Sequence, residues 1–344
     1  MRFVFGILFL LMAFHLSAQQ PTTAIEYLRY LNERDENFSQ KYVNYSSAIA
    51  HGTKARKLEK IRTDLIKEVK TNITEIGRLK PCKGDAALRD ASKHYWTVLL
   101  HVMQEDYGKI IDLEEIAEKS YDHMEAYLLA QEKAQEVSSL AGDAVMPIYR
   151  EFAIKNNINL VEGNTSKLAM KMKKIGEVNQ YHKKLFLIYF KTAVQHGYLS
   201  ESLKANDLNG LEQNRNAIIS LAAEGLEKLR DIENFKGDHS LIQGCRESLT
   251  QFKMVAENHI PARVELIMAE IQFNKFKESF DQKPANTRTK SDIDRYNHAV
   301  LEYRNVVNTW NEKHLNPMNK GNEKAFEAWN SASKRFLDKH TPRG

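Results

Sequence analysis

Residues 65–88 read LIKEVKTNITEIGRLKPCKGDAAL and residues 218–241 read IISLAAEGLEKLRDIENFKGDHSL. Lys83-Gly84-Asp85 in the first stretch recurs as Lys236-Gly237-Asp238 in the second, an offset of 153 positions (83 to 236). At the same offset Leu65, Ile73, Ile76, Leu79 and Leu88 fall on Ile218, Leu226, Leu229, Ile232 and Leu241, and further on Trp96, Leu99 and Val102 fall on Leu249, Phe252 and Val255. An apolar frame repeated without a gap marks two diverged copies of one unit. Leu65, Val69, Ile73, Ile76 and Leu79 are spaced by four or three, which puts them on one stripe of an α-helix and on no single face of a strand. Gly84 and Gly237 suit the left-handed conformation that closes a helix, and Asp85 and Asp238 suit the cap of the next one. Each copy is thus predicted to be a helical hairpin that reverses at Lys-Gly-Asp.

Upstream, Ala48-Ile49-Ala50-His51-Gly52 resembles Ala193-Val194-Gln195-His196-Gly197, now 145 positions apart (51 to 196), so the second copy holds eight more residues before its next helix. These are assigned to a surface loop in the polar stretch Ser200 to Gly210. Gly52 and Gly197 are expected to end a preceding helix, with His51 and His196 bonding its last carbonyls. Beyond the first turn, a helical tract is expected from Asp85 towards Leu140, kinked at Asp106-Tyr107-Gly108. Asn156 to Asn164 reads as a connector, and Thr165 or Ser166 as the start of the helix leading into the second copy. Lys283-Pro284-Ala285-Asn286 then breaks the chain. Ser291 with Asp294 resembles a capping box for a helix to about His314, and a last helix, Glu323 to about Lys339, is expected after a turn from Asn316-Pro317 to Gly321. The expected fold is all-α, an elongated antiparallel helical bundle. Two helical-hairpin repeats, 21–155 and 165–282, build it, and a C-terminal helical pair, 288–340, packs on it.

The N-terminus sets the expected compartment. Arg2, the apolar run Phe3 to Leu16 and the small pair Ser17-Ala18 read as a signal peptide over 1–18, too short to span a bilayer as a helix. Gly is 15 and Pro 7 in 344 residues, while Ala, Leu, Glu, Lys and Gln dominate long tracts, a composition that suits helices and lacks the turn residues of a β-rich fold. Cys82 and Cys245 are a candidate disulfide in an oxidising exterior. A chain long enough to bury its own core needs stapling least, which leaves two buried free thiols as the alternative. The net charge of +5 is mild for this length and decides nothing about partners, and no nucleic-acid partner is expected.

The charged tracts and motifs carry little chemistry. Lys54, Arg56, Lys57, Lys60 and Arg62 form a basic run. A reversal at residue 84 would set Arg62 beside Asp106, Lys57 beside Asp112 and Lys54 beside Glu114, neutralising it. The acidic tract of Asp112, Glu114, Glu115, Glu118, Asp122 and Glu125, interleaved by Tyr107, Tyr121 and Tyr127, spreads its carboxylates around a helix rather than converging them on calcium. No Glu-x-x-His, His-Glu-x-x-His, Gly-x-Ser-x-Gly or phosphate-cradling glycine loop occurs. No catalytic residue, no metal ligand and no cofactor is therefore expected. Trp96, Trp310, Trp329, Phe326 and Phe336 are expected in the core, leaving a groove between helices as the place for a lipid, peptide or glycan.

Several short motifs occur together: Lys41-Tyr42 through Tyr45 to Ala50-His51-Gly52, Lys83-Gly84-Asp85, Glu105-Asp106-Tyr107-Gly108-Lys109, Ser120-Tyr121-Asp122 through Met124-Glu125-Ala126-Tyr127-Leu128, and Phe336-Leu337-Asp338-Lys339-His340. In combination they resemble an uncharacterised family of exported or surface helical proteins of leptospires and Bacteroidetes. The resemblance implies an envelope location and a helical fold, and brings no catalytic or binding residues. The functional expectation is an exported, non-enzymatic helical binding or scaffolding protein of the periplasm or cell surface, with an envelope protein as partner and no transmembrane segment after cleavage. A carrier of a small ligand such as haem, a metal or a lipid, in a groove between the two units, is the alternative.

Overall fold

The computed structural model describes residues 20–51, 55–106, 120–160 and 167–343. The signal-peptide reading of 1–18 lies outside the described residues, as do Gly52, Lys54, Tyr107, Gly108, Asp112, Glu114, Glu115, Glu118, Thr165 and Ser166. Among the described residues the chain is all-α, and no helix is long and apolar enough to cross a membrane. In chain order the helices are α1 (Ala24–Ala50), α2 (Ala55–Gly77), α3 (Ala87–His101), α4 (Tyr121–Lys155), α5 (Lys167–Ala205), α6 (Leu208–Lys228), α7 (Ser240–Asn258), α8 (Ile260–Asp281), α9 (Lys290–Trp310) and α10 (Asn316–His340).

Two four-helix groups account for the burial. In the first, α1 to α4 pack in sequence around Leu65, Val69, Ile76, Leu88 and Trp96. In the second, α5, α6, α7 and α10 enclose Ile218, Ala222, Leu229, Leu241, Leu249 and Phe252. Most positions matched in sequence are buried alike, Leu65 and Ile218, Ile76 and Leu229, Leu88 and Leu241, Trp96 and Leu249, Val102 and Val255, whereas Leu79 is buried and its match Ile232 only half-buried. Each fully buried Leu, Ile or Phe contributes roughly 1.5–3 kcal/mol, so the shared apolar frame holds both groups together. The groups meet where α1 and α4 lie against α5, and His51 Nδ1 at the end of α1 reaches Asp338 Oδ1 of α10 at 2.8 Å.

The two Lys-Gly-Asp turns share one backbone but differ from the expected helix closure. α2 and α6 end at Gly77 and Lys228, well before the glycines. Cys82 and Asp85 exchange backbone hydrogen bonds of 3.0 and 2.9 Å, as Phe235 and Asp238 do at 3.2 and 2.9 Å. Both central residues of each turn have positive φ, 51° and 85° at Lys83-Gly84 and 50° and 83° at Lys236-Gly237. That pattern is a type I′ turn, whose second central residue favours glycine. The reversal thus occurs where expected, by a two-residue hairpin rather than a left-handed helix end.

Local signals explain several departures from the expected boundaries. Gly197 does not end a helix: it lies inside α5, and the eight added residues extend α5 to Ala205, so the loop between α5 and α6 is only Asn206-Asp207. Asn206 takes the positive φ (52°) that makes this turn tight. The tract expected to run from Asp85 to Leu140 is interrupted by a π-helical turn, Val102–Asp106, and Ser120 caps α4 by accepting from His123 N at 3.2 Å. The capping box before α9 is Thr289 with Asp292, two residues before the expected pair, because Thr289 is the residue held in extended backbone. No turn occurs at Asn316-Pro317 to Gly321. A π-helical turn, Asn311–Leu315, carries α9 into α10 without a break, Pro317 follows close on that turn, and Gly321 lies within the helix. A Cβ at Gly321 would strike Val255, and one at Gly244 would strike Ala332 and the Ala328 carbonyl, so these glycines let α10 press against α7.

Of the C-terminal pair α10 lies on the bundle along its length, and α9 joins it only through its end, where Tyr303, Val306, Val307 and Trp310 meet the second core. α9 packs along α8, and the two project as an antiparallel arm. From residue 268 to residue 309 no position is buried.

Candidate functional site

The predicted turn aspartates act as clamps. Asp85 Oδ1 accepts from Ala87 N at 2.8 Å and Asp238 Oδ1 accepts from Ser240 N at 2.9 Å, each bonding the first turn of the helix that follows. Each also receives a distant lysine. Lys155 Nζ, at the end of α4, lies 3.4 Å from Asp85 Oδ2, and Lys339 Nζ, at the end of α10, lies 2.7 Å from Asp238 Oδ2. Asp238 gains His340 Nε2 at 2.8 Å besides, in a site where the Asp238 side chain is 8% exposed against 35% for Asp85. Burial works to raise the Asp238 carboxyl, but hydrogen bonds from Lys339, Ser240 and His340 outweigh it and hold the group well below the usual carboxylate range. The Ala87 amide, then Lys155, lower Asp85 in the same direction. Asp238 is fully engaged in anchoring its helices, and Asp85 anchors its own more loosely.

The remaining sequence candidates are structural. Cys82 and Cys245 are both free, one beside the first core and the other inside the second, so the candidate disulfide is not formed. Burial pushes the Cys245 thiol up to about 12, which makes it inert. His196 lies mid-helix between the rings of Phe252 and Phe326 rather than at a helix end, and burial lowers its pKa. Its Nε2 interacts with Asn322, but neither His196 Nε2 nor Asn322 Oδ1 completes a regular hydrogen bond. Trp96, Trp310, Trp329 and Phe336 are buried, and Phe326 packs half-buried against the same core. Arg62 pairs with Glu59 on its own helix at 3.0 Å, while the Asp106 side chain lies outside the described residues. Lys57 and Lys60 are exposed, as are Asp122 and Glu125. Among the described residues no group of three or more His, Cys, Asp and Glu converges as a metal site would.

Two features lie outside the packed cores. The first is a cleft of about 370 Å³ between the start of α4 and the facing sides of α5 and α6. Leu187, Ile188, Leu221 and Ile232 give it an apolar lining, and Lys184, Lys191, Lys228, Glu224 and Asp231 ring it. Glu224 is held by Lys228 at 2.7 Å and by Lys191 at 3.5 Å, and Lys191 stands 5.2 Å over the Tyr121 ring.

The second is the arm. Between its helices Phe273 stacks on Tyr303 at 5.0 Å and Phe280 on Tyr296 at 4.4 Å, with Arg288 over Phe280 and Arg295 over Phe276. Those rings occupy the inner seam, yet Met268, Ile271, Ile293 and Leu301 remain 42–48% exposed on the outside. At its root Leu266 and Ile267 turn into the bundle core. α8 is therefore apolar on several sides, a pattern that in a stable helix signals burial against more than one neighbour.

The sequence held a signal for the arm that the turn-centred reading passes over: Phe273, Phe276 and Phe280 follow helical spacing, and Tyr296 and Tyr303 are one heptad apart. Comparison with protein-family models, with curated proteins and with solved structures gives no match.

Proposed function

We propose that this chain is an exported, non-enzymatic binding or scaffolding protein of the cell envelope that uses its two helical groups as a base and presents the α8–α9 arm to a protein partner. The observation that carries this reading is the unburied run 268–309 with apolar side chains outside its aromatic seam. Helical arms of this form receive a partner helix along an apolar stripe. The N-terminal charge and apolar pattern and the motif resemblance support export.

The test is a pull-down from envelope extract with the intact chain and with Ile271 and Leu301 changed together to Gln. A single stoichiometric protein retained by the intact chain and lost from the double variant is the expected result. Equal retention by both would remove the arm from the reading.

A second reading, a carrier of a small amphipathic ligand, is favoured by the cleft at α4, α5 and α6, whose apolar lining and lysine rim suit a chain with an anionic head. Native mass spectrometry of the purified protein tests it. A bound small molecule that disappears in Ile188→Trp, which fills the cleft, would promote the carrier over the scaffold.

A further inference from the structure

The root of the arm holds an arrangement that the proposed scaffold does not use. His259 closes α7 and begins the corner into α8, and His314 sits in the π-helical turn that joins α9 to α10. Their Nδ1 atoms face each other at 3.1 Å, with the rings tilted 72° to one another. Both residues are half-buried, so the pair is reachable from solvent. Two features set it apart from a chance contact. The histidines come from positions 259 and 314 on separate helices, and one of them is delivered by a π-helical turn, a costly irregularity that frequently marks functional sites.

Two imidazoles bound to one tetrahedral ion at about 2.0–2.1 Å hold their nitrogens roughly 3.3 Å apart. The observed separation is within a few tenths of an ångström of that. We infer that His259 and His314 form a two-histidine chelate for a borderline divalent cation of the zinc or nickel type, with water filling the other positions, and that the ion clamps the root of the arm. Each Nδ1 must present a lone pair. In the metal-free pair one Nδ1 carries a proton that it donates to the other, and binding requires that ring to hold its proton on Nε2 instead. The exchange leaves both rings neutral and releases no net proton.

The surroundings set the affinity. Burial, then the neighbouring His314, lowers the pKa of His259, which keeps a lone pair free near neutral pH. Trp310 stacks on His314 and fixes the ring plane. The Arg263 guanidinium lies 5.6 Å over the Trp310 ring and donates to Asn206 Oδ1 at 2.7 Å, which holds Trp310 against the pair. Among divalent ions nickel should bind more tightly than cobalt, and cobalt more tightly than manganese.

The experiment is titration of the full chain, without a histidine affinity tag, with Ni²⁺ and Zn²⁺ by calorimetry, alongside thermal unfolding. One equivalent of metal per chain, with a raised Tm at about 0.1 mM ion, is expected, since an ion that binds only the folded state stabilises it. His259→Gln and His314→Gln should each abolish both effects. His298→Ala, an exposed histidine of the arm, should change neither. Unaltered melting of the two Gln variants without metal keeps folding out of the comparison. If either variant folds poorly, imidazole ¹⁵N shifts of the intact chain decide: metal must move the Nδ1 signals of two histidines. No saturable binding below about 1 mM, or binding retained when either histidine is replaced, overturns the site.

Discussion

The two hairpins use the same turn and bury matched positions, yet they are held down differently. In the first group α4 packs on α3, and its Lys155 reaches a one-third-exposed Asp85 from 3.4 Å. In the second α10 packs on α7, so close that glycine is required at 244 and 321, and drives Lys339 and His340 onto a nearly buried Asp238. The difference lies in the fourth helix, not in the hairpin. In the second group α10 returns only after the arm has left and come back, so the tighter seal stands where the chain makes its longest excursion. A covering helix at the end of a long loop closure needs stronger local contacts to offset the entropy of closing it.

The sharpest way to break this comparison is at the helix crossing. Gly244 corresponds at the offset of 153 to Ala91, which is only half-buried. Gly244→Ala should cost about 1–3 kcal/mol or more, because the new methyl meets Ala332 and backbone that cannot move aside. Ala91→Gly should cost no more than about 1 kcal/mol, the helix propensity difference. Chemical denaturation of both variants checks the order, and equal losses would mean that α10 is not pressed against α7.

The clamps come next. Asp238→Asn should cost about 1–3 kcal/mol by removing a nearly buried charged acceptor with three donors, and Asp85→Asn distinctly less. The pH dependence sharpens this. A carboxyl whose folded pKa is depressed contributes stability that is present above its unfolded value, about 3.9, and is lost as pH falls through the lower folded value. The gap in Tm between the intact chain and Asp238→Asn should therefore narrow steadily as pH falls below about 4, because the unfolded chain takes up the proton while the native carboxylate, held well below its usual range, still resists it. A gap that persists undiminished at pH 2 would show that the carboxylate charge is not what holds α10. The smallest expected effect is at Arg62, whose pair with Glu59 lies on one helix surface. Arg62→Ala should shift stability by no more than about 0.5 kcal/mol in the same denaturation assay, where a larger loss would point to a partner across the hairpin.

The hairpins were legible because their signal is local. Apolar residues at three- and four-residue spacing fix which face of each helix is buried, and Lys-Gly-Asp fixes the reversal within two residues. The connections were less so. Gly197 and the Asn316-Pro317 to Gly321 stretch look like breaks in a sequence, yet Gly321 serves a close crossing with Val255, and Gly197 is carried inside α5 with open space around it. The arm was hidden for the same reason. Phe273, Phe280, Tyr296 and Tyr303 carry helical spacing that any core would show, and only the fold reveals that they pair with one another, with Tyr303 alone also touching the bundle core. The His259–His314 pair joins positions that no local motif links, and the Asp238 clamp needs His340 from the far end of the chain.

The account rests on an arm that stands outside two sealed helical groups. Hydrogen exchange of the intact chain, followed by mass spectrometry, tests this most directly. An isolated two-helix hairpin opens far more readily than a packed core. Peptides from 270–304 should therefore exchange on the order of 100-fold faster than those from α7 and α10, whose buried crossing should be protected longest. Protection of the arm equal to that of α7 would contradict the account, because it would place α8 and α9 within the folded core.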